Sequence, residues 1–272
     1  MYWLAAYISV FVVLQILFGS VDTRLFAFPI GITLGVAWIA ILYVMDKEYA
    51  HKPWMVSLRS PRTACLLLAL TAIFCVLGGS VPQMAGFTTS LPFVALLLAL
   101  LTNILLVVFN RLHRFSMRRD AAFLAVHAGL CIALFGGMMG AGDTRELCTL
   151  VSQKEDVEKA YDRKGHAVPL DYSLRLISFD IEKNKNDGTP VQYEATVLVG
   201  DKLRQIAVNS PLAVSLCEDI YLGSYDIRSD GTPTCVLQIV RQPWKYAILA
   251  GILMLLGGVA LNLADMTKGG RK

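Results

Sequence analysis

One imidazole in this sequence stands where imidazoles are rare. His127 lies in AAFLAVHAGLCIALFGGMMG, residues 121–140, an uncharged run about as long as a bilayer-spanning helix that follows Arg118-Arg119-Asp120. At roughly 1.5 Å per residue the ring sits about 10 Å into a hydrocarbon layer about 30 Å thick. An ionisable ring at that depth is costly unless satisfied. It reads either as a functional ligand with a partner or as a packing histidine bonded to a neighbouring carbonyl. Ala125, Gly129, Ala133 and Gly137 recur every fourth residue, and Gly136 with Gly140 adds a GxxxG, so one stripe should let another backbone approach closely. His127 is off that stripe, beside Phe123, Leu124, Leu130, Cys131 and Leu134. An imidazole in such a flat-sided apolar surround suits a planar hydrophobic cofactor such as haem; haem b, with His127 as axial ligand of the iron, is the expectation.

A low-spin haem takes two axial ligands, and a self-sufficient membrane site usually draws two histidines from facing spans. His51, His113 and His166 lie in polar stretches, so a second ligand must come from another polypeptide, from a methionine, or not at all. Met138 is on the same helix and cannot reach the opposite face of a haem. The arginines of RLHRFSMRRD, residues 111–120, set membrane topology, and in a sharper reading their guanidinium groups draw acidic groups such as haem propionates toward the mouth of the His127 helix. Of six cysteines, Cys65, Cys75 and Cys131 fall in apolar runs, while Cys148, Cys217 and Cys235 lie in a polar segment where one pair could bridge in an oxidising compartment. No CxxC and no CxxCH occurs, which argues against thioredoxin-like redox chemistry and against covalent haem attachment to this chain. We expect no catalytic residues: no nucleophile–base pair, metal-spaced histidine cluster or phosphate-binding glycine loop stands out.

These residues are carried by a chain that is 55% hydrophobic, with a mean hydropathy of +0.54, values that define an integral membrane protein. Residues 141–242 hold 12 basic and 16 acidic side chains, and the remainder 13 and 5, so the basic excess lies in loops next to apolar runs. Such loops stay cytoplasmic. Apolar runs at 2–20, 25–45, two between 63 and 109, 121–140 and 243–264 give about six transmembrane helices with both termini cytoplasmic. No cleavable signal is read at the start, and the first run is expected to be a retained span. Residues 46–62 read as a basic loop broken by Pro53 and Pro61.

The segment 141–242 must then be extracytoplasmic, periplasmic in a bacterial inner membrane. Residues 149–166 read as loop or short surface helix. Tyr172, Leu174 and Leu176 alternate, then Ile177, Phe179 and Ile181 continue out of phase, which predicts a bulge. NKNDGTP, 184–190, reads as a turn, and 193–208 and 219–240 read as hairpins, making one small antiparallel β domain. The expected layout is an N-terminal helical hairpin (1–45), a three-helix part (46–140), the β domain (141–242) and a last helix with a cytoplasmic tail (243–272).

The ordered set SLRSPRTACLLLALTAIFCVLGGSVPQ (57–83), Asn110-Arg111-Leu112, HAGLCIALFGGMMG (127–140), VNSPLAV (208–214), IYLGSYD (220–226) and RQPW (241–244) resembles the ResB/CcsB-type subunit of System II cytochrome c maturation. The resemblance implies a membrane subunit that acts with a tryptophan-rich CcsA/ResC-type partner to deliver haem to apocytochrome c, non-catalytic or co-catalytic within the synthase. It also implies haem binding at His127. Residues 1–45 lie outside the common pattern, and Trp3, Trp38, Trp54 and Trp244 are too scattered to form the partner's motif. A different class of role is a haem-free scaffold stabilising a partner, with His127 bonded across a helix interface. Membrane lipid is an expected partner in either case, and nucleic acid is not.

Overall fold

The computed structural model describes residues 2–84, 86–113, 115–183, 190–227, 229 and 231–269. Two compact units divide the chain: Met1–Gly142 with Trp244–Lys272, and Asp143–Pro243.

The first unit is helical: α1 (Tyr2–Phe18), α2 (Ile30–Tyr49), α3 (Pro53–Leu58), α4 (Pro61–Ser80), α5 (Leu91–Leu112), α6 (Met117–Asp143) and α7 (Lys245–Gly269). Five of these, α2 and α4 to α7, are long and apolar enough to cross a membrane. The 17 residues of α1 are at the short end of the range that can. The prolines of the 46–62 stretch start helices instead of breaking structure. Pro53 and Pro61 stand in the first turns of α3 and α4, where a missing N–H costs nothing, and Ser60 caps α4 by accepting from the Thr63 N–H.

The central helix is α5. It buries Leu96, Leu100, Leu101, Ile104 and Val108 in a core joined by Leu4 of α1, Leu42 of α2, Leu67 of α4 and Cys131 of α6. Polar groups inside the spans bond internally, as a hydrocarbon environment demands. Gln15 accepts from the Leu91 N–H at 2.7 Å, and Thr71 and Thr102 donate to the carbonyls four residues back.

α6 and α7 run antiparallel along a seam of small residues. A Cβ on Gly251 would lie 2.7 Å from the Ala133 nitrogen, one on Gly258 2.7 Å from the Val126 nitrogen, and one on Gly140 3.0 Å from the Trp244 Cβ. The α6 positions in contact are 122, 126, 129, 133, 136 and 140, alternating steps of four and three. A stripe at every fourth residue drifts around a helix of 3.6 residues per turn, whereas alternating steps hold one face. Gly129 and Ala133 therefore belong to the contact, and Gly137 does not, having nothing within 4 Å of its Cβ position.

The second unit is one antiparallel sheet: β1 (Arg145–Ser152), β2 (Val157–Tyr161), β3 (Ala167–Lys183), β4 (Pro190–Val199), β5 (Lys202–Ala207), β6 (Leu212–Ser215), β7 (Glu218–Ile227) and β8 (Pro233–Arg241). The spatial order is β5-β4-β3-β2-β1-β8-β7-β6. Its inward face buries Val151, Leu174, Leu176, Val197, Ile206, Ile220, Leu237 and Ile239 in one core. The expected hairpins are β4–β5 and β7–β8, and the expected bulge falls between Leu176 and Ser178. The stretch 149–166 is corrected, since it supplies half of β1 and all of β2. All but the last residue of the 184–190 turn lies outside the described residues.

At one end of this sheet Glu218 is almost wholly buried between Tyr172, whose hydroxyl donates to it at 2.5 Å, and Arg241, whose Nε donates at 2.7 Å. Burial and the Glu218 carboxylate push the Tyr172 phenol well above its usual range. Cys148, Cys217 and Cys235 are all free thiols, so none of them bridges.

Candidate functional site

The N-terminal end of α6 builds the site from Asp120 onward. This carboxylate is fully buried and accepts from the Ser116 N–H at 2.8 Å, reaching back over the start of the helix in the manner of a capping box. Its other oxygen is 2.7 Å from Arg111 Nε, which comes from the end of α5. The Arg111 guanidinium lies 5.1 Å from the centroid of the Phe123 ring. Phe123 in turn stacks on His127, with centroids 3.9 Å apart and planes 26° apart.

His127 Nδ1 is 2.8 Å from the Phe123 carbonyl oxygen, one turn earlier on the same helix. A carbonyl can only accept, so Nδ1 carries the proton and donates. In a neutral ring the lone pair is then on Nε2, which has no hydrogen-bond partner among the described residues. The ring is half-buried. Its hydrogen bond is to its own helix and not across the α6–α7 seam.

Leu134 and Met138 share the His127 face of α6, about two and three turns toward its C-terminal end, and there they line a cavity of about 670 Å³. Trp38, Cys75, Phe93 and Phe135 complete its mainly apolar wall. His127 does not line this cavity. Gly137 does, and its missing side chain is part of what leaves the space open.

Sequence reasoning gave the arginines of residues 111–120 to topology and to acidic ligands. The structure gives Arg111, and Arg59 of the preceding basic stretch, definite internal partners. Arg111 holds Asp120, and Arg59 bonds to Asp46 at 3.3 Å, to Asn110 at 3.3 Å and to the Ala50 carbonyl at 3.0 Å. Asp46 is buried, and its second oxygen is 3.6 Å from His113 Nε2. His166 is exposed in the β2–β3 turn. Its backbone N–H and ring both bond to Asp162, which holds that carboxyl at about 2. Among the described residues, no group of three or more His, Cys, Asp or Glu side chains could hold a bare metal ion. The roles of Phe123 and Asp120 were not foreseen, although the four-residue spacing of Phe123 and His127 on a helix was visible in the sequence.

The fold is that of a helical membrane protein carrying a small antiparallel sheet domain. Residues 116–234, a segment that runs from the start of α6 into β8 and contains His127, match the model of the ResB-like family. The resemblance read from the motifs is thereby borne out. No curated protein sequence matches the chain. Among solved structures, Cytochrome c Heme Lyase CcmF is similar at 15% identity with a TM-score of 0.38, over 71% of this chain and 34% of that one. The chain thus spans about a third of the length of that protein.

Proposed function

We propose that this chain is a membrane subunit of a System II cytochrome c haem-delivery and attachment complex. It holds haem b within the membrane through His127 and acts with a CcsA/ResC-type partner on apocytochrome c. The observation that carries this reading is the His127 hydrogen bond: with Nδ1 donating to the Phe123 carbonyl at 2.8 Å, the lone pair of Nε2 is available to a metal in an apolar setting. A carbonyl or carboxylate on the far nitrogen is the usual means of orienting a metal-bound imidazole.

The donor set fits haem better than a bare ion. A structural or catalytic ion such as zinc needs three or four protein ligands, whereas haem iron brings four nitrogens of its own and asks the protein for one or two. His127 supplies one. When bound, haem would supply the group that is transferred to the apocytochrome, whose own thiols form the thioether bonds. This chain's part is to hold and orient that group and to keep water from it. The charge distribution supports a bacterial cytoplasmic membrane location with both termini inside and Asp143–Pro243 outside.

The test is haem content after co-purification with the partner. His127→Ala should remove the Soret band and the yield of mature cytochrome c together. An unchanged spectrum and yield would refute the ligand role and leave a haem-free scaffold.

A further inference from the structure

We infer that Phe123, steadied from α5 by Arg111, is the positioning residue that presents His127 Nε2 for coordination. The inference rests on the haem reading for its purpose but not for its geometry.

Phe123 acts on the imidazole twice. Its carbonyl oxygen, 2.8 Å from Nδ1, fixes which nitrogen carries the proton. Its ring, stacked at 3.9 Å and 26°, restricts rotation of the imidazole about its Cβ–Cγ bond. The carbonyl alone leaves the ring free to tilt about the hydrogen bond, and the stack alone does not choose a nitrogen. Together they leave one tautomer in one orientation. A lone imidazole in hydrocarbon has no water to reorganise around it, so local contacts decide its pose.

The Phe123 ring is itself held. Arg111 lies over it at 5.1 Å, within the range of a cation–π contact, and is anchored 2.7 Å from the buried Asp120. Asp120 is bound to the first turn of α6 through the Ser116 N–H. The order Asp120, Arg111, Phe123, His127 therefore ties the end of α5 to the candidate ligand on α6. Asp120 offsets most of the guanidinium charge, so the arginine can approach the apolar run without leaving an uncompensated cation there.

Two measurements test this on the full chain. In haem-free protein labelled with 15N-histidine, long-range proton–nitrogen correlation should show His127 as a single Nδ1–H tautomer. Phe123→Leu keeps the carbonyl and removes the ring, and should broaden or split that signal. Arg111→Gln should do so more weakly, and Phe123→Tyr should preserve the wild-type spectrum. In the haem-loaded complex, His127→Gly should recover its Soret band with added imidazole. Adding Phe123→Leu should raise the half-saturating imidazole concentration about three- to tenfold, the worth of one aromatic stack.

If Phe123→Leu leaves both the tautomer signal and the imidazole requirement unchanged, the positioning role is overturned. A wild-type complex that is colourless, yet keeps the locked tautomer with its dependence on Phe123, sinks the haem reading and leaves the positioning role standing.

Discussion

Gly129 and Gly251 meet backbone to backbone: a Cβ on Gly129 would lie 2.6 Å from the Gly251 carbonyl oxygen, and one on Gly251 2.8 Å from that of Gly129. No flexible side chain stands between them to give way. Gly251→Ala must therefore push α7 off α6 and should cost about 1–3 kcal/mol, the usual range for overpacking. Gly137→Ala meets nothing and should be neutral, or stabilising by up to about 1 kcal/mol through helix propensity. Unfolding midpoints of the two variants in one detergent compare the predictions directly, and equal midpoints would contradict them.

Removal of the Tyr172 hydroxyl takes one of two side-chain donors from Glu218, a carboxylate only 5% exposed. Tyr172→Phe should cost about 1–3 kcal/mol. Glu218→Gln keeps the shape and loses the charge that Arg241 faces, and combining the two changes should cost less than the sum of the single effects because they share a partner. A double-mutant cycle by chemical denaturation measures the coupling, and strict additivity would contradict the network.

Asp162 should titrate near pH 2, because the His166 N–H and ring both favour its charged form. Its folded value lies below the ordinary 3.8, so whatever stability it lends the β2–β3 turn is present above about pH 4 and lost as pH falls through about 2. His166→Ala should move the carboxyl midpoint upward without matching the ordinary value, since the backbone N–H remains. Carbon-detected titration of labelled aspartate follows this.

Cys235 and Cys148 should differ sharply toward alkylating reagents. Cys235 is fully buried on β8, and burial pushes its thiol up to about 11, whereas Cys148 on β1 is exposed. Iodoacetamide near pH 8 should label Cys148 within the folded protein and Cys235 only after unfolding. Comparable labelling rates before and after denaturation would show that β8 does not occupy the core.

His127 stood out in the sequence because an ionisable residue in an uncharged run of that length must be satisfied by a partner, and the Phe123 carbonyl one turn back is that partner. The long helices were legible for the same reason of contrast, and the β3 bulge showed as a change of phase at Ile177. The first two strands were not legible. Thr149 points inward and donates to the Lys159 carbonyl at 2.9 Å, so a polar residue occupies a core position, while Leu150 faces out. A register shift between Val157 and Lys159 then removes the period of two from β2. Arg111 could be counted as one more basic residue in a loop, but nothing in its sequence neighbourhood says that it crosses to Phe123. That depends on where α5 ends relative to α6, a tertiary fact.

Where Gly140 of α6 faces Trp244, the residue before α7, the polypeptide departs from the helical unit and comes back to it at almost the same spot, with the whole sheet unit in between. A segment whose two ends are already side by side behaves as an exchangeable cassette. It can be enlarged, shortened or replaced by a tight turn while the glycine-lined helices keep their grip on each other, so the sheet unit and the helical unit are free to evolve at different rates.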